Sequence, residues 1–326
     1  MMKKDKSEAL YANYIKDVIA RNQKAIDYQK SRQDFWQDKP RAEVEQALQK
    51  IIEQDNEYRK DNSGEKNPGN DLETLIKTAP AEILYREYHD NEKVAEACKS
   101  YQETIKNVDA EKFKTLRQAF TVKMGILYKQ VVPEEKQEEL INDYLKKVLS
   151  KREAEQYMRE SINDEFKGIE LDGTRDHGNC TKGIMISLYK LQKKYDIPLF
   201  DKNLDKEHIV HPKELSEELN KYVKKSESGL LKDIKGIKAG DIIMLTRGTT
   251  NAPGHAMMCY DFNEKGEPLL MGFSDNAKEV NAYQSRDGSM RRGIVIDIKS
   301  FIQDRAQNKE KSYLKQSTHL KKESTR

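Results

Sequence analysis

The chain has 326 residues and a mass of 37.9 kDa, a length that favours about two domains. It contains 35% charged residues and no apolar run of the ~18 residues that a membrane-spanning helix needs, which excludes that class. The net charge of +3 arises in the segment 305–326, where seven Lys or Arg face two Glu. The rest of the chain is nearly neutral, which argues against nucleic-acid binding, and 305–326 is predicted to be a disordered basic tail.

Glycine divides the chain into two halves. Only three of its 16 glycines precede residue 168, and glycine marks turns and strands more than helices. Apolar residues recur with helical spacing in the first half, and Pro133 followed by two glutamates marks a helix start. The predicted helices are 10–19, 41–52, 71–78, 81–89, 91–106, 109–130, 134–149 and 152–166, with a loop at 59–70.

The second half changes its periodicity. A helix is predicted after Cys180, because Ile184, Leu188 and Leu191 share one face, and a polar helix at 212–225. Short β-rich runs follow at 241–247, 255–262, 268–274 and 293–301, with a hairpin turn at 263–266. We therefore predict an α+β fold, in which an all-α N-terminal domain precedes a helix packed on an antiparallel sheet.

Three cysteines, Cys98, Cys180 and Cys259, occur without a CxxC motif, so neither a structural zinc site nor a disulfide scaffold is expected. Cys98 lies in an amphipathic helix and is interpreted as a packing residue. Cys180 lies between a glycine-rich polar loop and an apolar helical stripe, which predicts a position at a helix N-terminus. The positive end of a helix lowers the pKa of a thiol and makes it more reactive.

A cysteine nucleophile needs a base, and the base needs an orienting partner. Of the six histidines, His255 stands at the head of an apolar strand, where alternation places it on one face with Met257 and Cys259. Asp275 or Asn276, after the next strand, is the candidate to orient its ring. The other histidines are His89, His177, His208, His211 and His319.

This order of Cys at a helix start, His on a following strand and a polar residue on the next resembles the papain fold. More narrowly, it resembles the NlpC-like and CHAP-type amidases of bacterial cell-wall turnover. The segment 238–245 (KAGDIIML) is similar to their Gly-Asp opening of the first strand, and 254–262 (GHAMMCYDF) to their histidine-bearing strand. The resemblance covers residues 168–300.

The resemblance implies Cys180 as nucleophile, His255 as general base and Asn276 as orienting residue, with Asp275 as the alternate. It further implies that the backbone N–H of Cys180 stabilises the oxyanion, with Asn179 or His177 nearby. It also implies hydrolysis of a peptide or amide bond in peptidoglycan, without a metal or other cofactor.

Two alternatives stay open: a catalytically inactive papain-like interaction or scaffold protein, and an intracellular protein-cleaving cysteine protease. The expected domains are 1–166 (helical), 167–304 (papain-like hydrolase) and 305–326 (tail). We expect the helical domain to bind substrate or a protein partner, with no nucleic acid and no membrane insertion. No secretory signal follows the basic start of the chain, so we expect a protein that is cytoplasmic as synthesised, unless a leader was removed or a specialised route exports it.

Overall fold

A computed structural model describes residues 2–63, 71–105, 108, 110–168, 179–197, 199, 212–246, 253–272, 280–283 and 290–307. Over these ranges the helices are α1 (Met2–Trp36), α2 (Arg41–Ser63), α3 (Leu72–Glu87), α4 (Glu92–Ile105), α5 (Ala110–Val131), α6 (Glu134–Gly168), α7 (Asn179–Tyr195), α8 (Pro212–Glu218) and α9 (298–307). Short 3₁₀ turns lie at Asn220–Tyr222 and Leu231–Asp233.

The helical first half is confirmed, with longer helices than local periodicity indicated. The predicted helices 134–149 and 152–166 are one continuous helix, α6, which begins directly after Pro133. The predicted break between 78 and 81 is wrong, because Pro80 lies inside α3. The neighbouring Ala79 and Ala81 are buried, and tertiary packing of this kind supplies most of a helix's stability in a protein.

The described strands form one antiparallel sheet in the order β1-β6-β2-β3-β4-β5. They are β1 (Val223–Lys224), β2 (Ile242–Thr246), β3 (Pro253–Phe262), β4 (Pro268–Met271), β5 (Val280–Asn281) and β6 (Gly293–Ile296). The predicted turn at 263–266 does connect β3 and β4: Asn263 Oδ1 accepts hydrogen bonds from the N–H groups of Lys265 and Glu267, at 3.0 and 2.9 Å.

Two predicted elements give way to a different element before their expected end. The strand run 293–301 stops at Ile296, and α9 begins at residue 298, where the Asp297 carboxylate accepts from Ser300 N at 3.0 Å and caps the new helix. The helix predicted at 212–225 ends at Glu218, since residues 223–224 pair with β6. The mixed α+β class is thereby confirmed in its coarse form.

The sheet has two apolar faces. The face that α7 covers, here called the helix face, carries Ile242, Met244, Ala256, Met258 and Ile296. The opposite face, here called the loop face, carries Ile243, Met257, Cys259, Leu270 and Val295 and packs against Leu231, Ile234 and Ala282. Successive side chains of β2, β3 and β6 thus alternate between two separate cores.

The helix-face core, here called the first core, recruits side chains from both ends of the chain. Besides α7 and the sheet, it contains Leu10, Tyr11, Tyr14, Val18 and Ala25 of α1, and Met158 and Ile162 of α6. Phe301 and Ile302 of α9 complete it. Packing therefore crosses the expected domain boundary at 166/167.

A second core lies among α2–α6 and the C-terminal end of α1, where Trp36, Leu48, Leu84, Met124 and Leu145 are buried. The helices α1 and α6 contribute to both cores, so each spans the molecule as one piece. Residues 305–307 of the expected tail belong to α9, and 308–326 lie outside the described residues. None of the helices in the described part of the chain has the length and apolarity that crossing a bilayer requires.

Candidate functional site

Cys180 is the second residue of α7, as its sequence context predicts. The helix continues into a buried stripe that includes Ile184, Met185 and Leu188 and packs in the first core. The first N–H groups of an α-helix have no partner within the helix and attract negative charge. The side chains of residues 179–182 lie outside the described residues, and so does His177.

His255 is the third residue of β3 and is half-buried. It pairs across the sheet with Leu245 and shares its face with Met257, whose side chain lies in the loop-face core. A Cβ placed on Gly272 would lie 3.5 Å from His255 Nε2 and 3.0 Å from Met257 Cγ. The imidazole therefore points to the loop face, whereas α7 packs on the helix face.

Cys180 thus begins the helix that covers one face of the sheet, whereas the side chain of its expected partner His255 points to the other face. Sequence alternation predicted which residues share a face with His255, and it had no means to predict which face α7 covers. The expected orienting residues Asp275 and Asn276 lie outside the described residues.

The other two cysteines are in packing positions. Cys98 packs against the second core, and Cys259 is fully buried. Burial, together with the nearby carboxylates of Asp241 and Asp261, raises the pKa of the Cys259 thiol to about 12. The raised pKa and the burial make the Cys259 thiol unreactive.

A polar junction around a buried arginine joins α7 to α1 and α6, and the sequence analysis did not identify it. The Arg21 guanidinium, 4% exposed, donates to Ser187 Oγ at 2.8 Å and to the Gly183 carbonyl at 3.3 Å. It also pairs with Asp17 at 2.9 Å and Glu165 at 3.0 Å. We call these five residues the Arg21 junction. One signal was present in the sequence: Arg21 continues the apolar stripe formed by Leu10, Tyr14 and Val18 on α1.

The charges of the Arg21 junction balance locally. Lys190 pairs with Glu165 at 2.7 Å and lies 3.8 Å from Asp17, so two cations face two carboxylates. Burial acts to raise the pKa of Glu165, but the hydrogen bonds from Arg21 and Lys190 outweigh it and hold this pKa below its ordinary value. The Glu165 carboxylate is therefore ionised at neutral pH, and it links α6 to Arg21 of α1 and Lys190 of α7.

The Gly-Asp turn before β2 docks α1 onto the sheet. Gly240 adopts φ +94°, its N–H donates to the Cys259 carbonyl at 2.6 Å, and Tyr11 Oη of α1 donates to the neighbouring Ala239 carbonyl. The Asp241 carboxylate is fully buried and accepts from Lys238 N at 2.9 Å. This turn is thus a structural contact of the first core.

Among the described residues, no group of three or more His, Cys, Asp or Glu side chains is arranged to hold a metal ion. Comparison with known proteins yields no match: no protein-family model, no curated protein and no solved structure is significantly similar to the chain.

Proposed function

We propose that the chain is a cysteine hydrolase in which Cys180 attacks the carbonyl carbon of an amide bond. One observation carries the proposal: Cys180 occupies the second position of α7, where unpaired backbone N–H groups favour both a thiolate and an oxyanion. The resemblance of residues 168–300 to NlpC-like and CHAP-type amidases adds the substrate class, a peptide of the bacterial cell wall.

In this mechanism the thiolate of Cys180 forms a bond to the substrate carbonyl carbon, and the oxyanion accepts hydrogen bonds from N–H groups at the start of α7. The tetrahedral intermediate collapses to a thioester as a histidine protonates the departing amine. Water then attacks the thioester, the acid product leaves and the thiol is regenerated.

His255 is the proposed base, with Asn276 or Asp275 as its orienting residue. Because His255 belongs to the loop face, its imidazole has to approach Cys180 around the end of β3. His177 and His211, which precede α7 and α8 in the sequence, are the alternatives to test.

A second candidate function is favoured by the orientation of His255 away from α7. In this candidate the sheet and α7 form a binding platform without a catalytic pair, and the helices bind a protein partner. The two candidates differ in one chemical property, the reactivity of the Cys180 thiol.

The deciding experiment measures iodoacetamide labelling of each cysteine in the folded full chain by peptide mass spectrometry across pH. If the chain is a hydrolase, Cys180 should be labelled at neutral pH at least about tenfold faster than Cys98. The pH midpoint of Cys180 labelling should then lie well below the ordinary thiol pKa of about 8.5. Cys259, buried and with a raised pKa, is the internal control for a closed fold. A midpoint at the ordinary value would contradict the hydrolase and favour the binding platform.

Purified peptidoglycan and a denatured protein are then offered as substrates, and products are identified by mass spectrometry. Cys180→Ser should abolish release of either product, since an alcohol at this position lacks the thiolate. His255→Ala, His177→Ala and His211→Ala are compared in parallel. The base is the histidine whose removal matches the loss in Cys180→Ser without adding to it.

A further inference from the structure

The proposed mechanism does not use the Arg21 junction, in which a buried guanidinium meets two partly exposed carboxylates between three helices. Taking a guanidinium out of water is costly, and replacing such a group by apolar side chains often leaves stability unchanged or improves it. An Arg at this point of the α1 stripe therefore calls for a role that an apolar residue would not fulfil.

The contacts of Arg21 show what it holds. Two of them reach α7: the Ser187 hydroxyl and the Gly183 carbonyl, which lies three residues after Cys180. Two further hydrogen bonds anchor Arg21 to Asp17 of its own helix and to Glu165 of α6. A planar guanidinium makes such divergent contacts with fixed geometry, which a lysine ammonium does not reproduce.

Ser187 reinforces this connection, because its hydroxyl donates to Asp17 Oδ2 at 2.8 Å. The beginning of α7 is thereby tied to two helices that each extend into the second core. By helical periodicity, backbone position 180 falls on the same stripe of α7 as positions 183 and 187. The junction thus lies on the stripe of the helix to which Cys180 belongs.

We propose that Arg21 is the positioning residue for Cys180: anchored by Asp17 and Glu165, it fixes the start of α7 through Gly183 and Ser187. This inference rests on the proposed function for its catalytic meaning. The structural part of the proposal is that one buried arginine keeps the first turns of α7 ordered. This part can be tested without an activity assay.

Arg32 offers a matched control on the same two helices. It pairs with Glu153 of α6 through two hydrogen bonds, at 2.8 and 2.7 Å, near Trp36 and the second core. Arg32→Ala therefore removes a comparable α1–α6 ion pair without touching α7. Arg21→Lys keeps the charge of the Arg21 junction and guards against loss of the fold in Arg21→Ala.

The experiment compares the full-length variants by hydrogen–deuterium exchange of the peptides that cover 179–187. Arg21→Ala and, to a lesser degree, Arg21→Lys should accelerate exchange there about tenfold or more, equivalent to a local loss of order near 1.4 kcal/mol. Arg32→Ala should leave these amides unchanged. Equal acceleration in the Arg21 and Arg32 variants, or none in either Arg21 variant, would overturn the inference.

The second readout is the pH profile of Cys180 alkylation in the same proteins. In the Arg21 variants the pH midpoint of Cys180 alkylation should move upward by about one unit, because Asp17 and Glu165 lose their main partner and their negative charge disfavours a thiolate. Below the midpoint, this shift slows alkylation about tenfold. If the Arg21 variants exchange faster at 179–187 but keep the pH profile of Cys180 alkylation, the link between Arg21 and Cys180 would be overturned. An ordinary midpoint in the unaltered chain would instead overturn the proposed function and leave the exchange comparison to judge Arg21.

Discussion

Asp241 shows how burial sets the behaviour of a single carboxylate. Its Oδ2 accepts from Lys238 N, and the nearest cation, Lys224, lies 3.8 Å away. Desolvation outweighs both contacts and raises the pKa from the ordinary 3.8 to about 6. The folded state therefore binds this proton more tightly than the unfolded state, so stability decreases as pH rises through the window from 3.8 to about 6.

Asp241→Asn should remove this dependence. The amide carries no charge, so the variant should melt at a higher temperature than the unaltered protein at pH 7.5 and gain much less at pH 4. The shift in pKa corresponds to about 3 kcal/mol as an upper bound. Thermal melts at several pH values measure the effect.

Asp297→Asn is the control with the opposite sign. Burial acts to raise the pKa of Asp297, but Ser300 N and Lys224 hold it below its ordinary value, so its charge stabilises the fold above that value and this contribution is lost as pH falls. Its removal should lower the melting temperature at pH 7.5. A drop for Asp241→Asn at pH 7.5 as large as that for Asp297→Asn would contradict the assignment.

Two glycines test the contact between α1 and the sheet at the scale of elements. Gly240 and Gly266 both have positive φ, at +94° and +73°, where a Cβ costs roughly 1–2 kcal/mol. Only at Gly240 would the Cβ also meet α1, 2.5 Å from Tyr11 Oη and 2.9 Å from Ile15 Cδ1. Gly240→Ala should therefore lower the free energy of unfolding by about 1–3 kcal/mol more than Gly266→Ala.

Chemical denaturation of the two alanine variants measures this difference. Equal losses would show that backbone strain alone matters at Gly240, and that α1 does not press on the turn. A larger loss at Gly240 accompanied by faster exchange of the α1 amides would locate the damage in the contact between the two elements.

The same elements show what local sequence could predict. Pro133 and the two glutamates after it marked the start of α6, because a helix start depends on neighbouring residues alone. Alternation likewise placed His255 with Met257. The pairing of β6 between β1 and β2, and the face that α7 covers, depend on contacts between residues far apart in sequence, which periodicity does not encode. The sequence consequently predicted the strand of His255 correctly but could not predict whether its side chain points toward α7.

At the scale of the whole molecule, the first core makes the expected hydrolase module dependent on the helices before it. Residues 167–326 expressed alone would lose seven buried side chains of that core, from α1 and α6: Leu10, Tyr11, Tyr14, Val18, Ala25, Met158 and Ile162. At roughly 1.5–3 kcal/mol for each large apolar side chain, the loss matches or exceeds the 5–15 kcal/mol that usually stabilises a domain.

We therefore expect residues 167–326 alone to show no cooperative thermal transition by circular dichroism. Adding a separately expressed 1–166 segment should restore a transition, since it supplies the missing faces of α1 and α6. A sharp transition of the isolated 167–326 fragment, with an exchange-protected sheet, would contradict this dependence. Removal of residues 308–326 from the full chain, beyond the end of α9, should leave the melting temperature unchanged.

The long helix α1 also has a consequence for the order in which the protein is made. Leu10 leaves the ribosome about 290 residues ahead of its core partners Ile298 and Phe301. At roughly 5–20 residues per second, about 15–60 s separate the two events. During that interval the C-terminal end of α1 can pair with α6 through Arg32 and Glu153, while its N-terminal apolar stripe has no sheet to cover it. During that interval the apolar stripe of α1 is therefore open to aggregation and to chaperone binding.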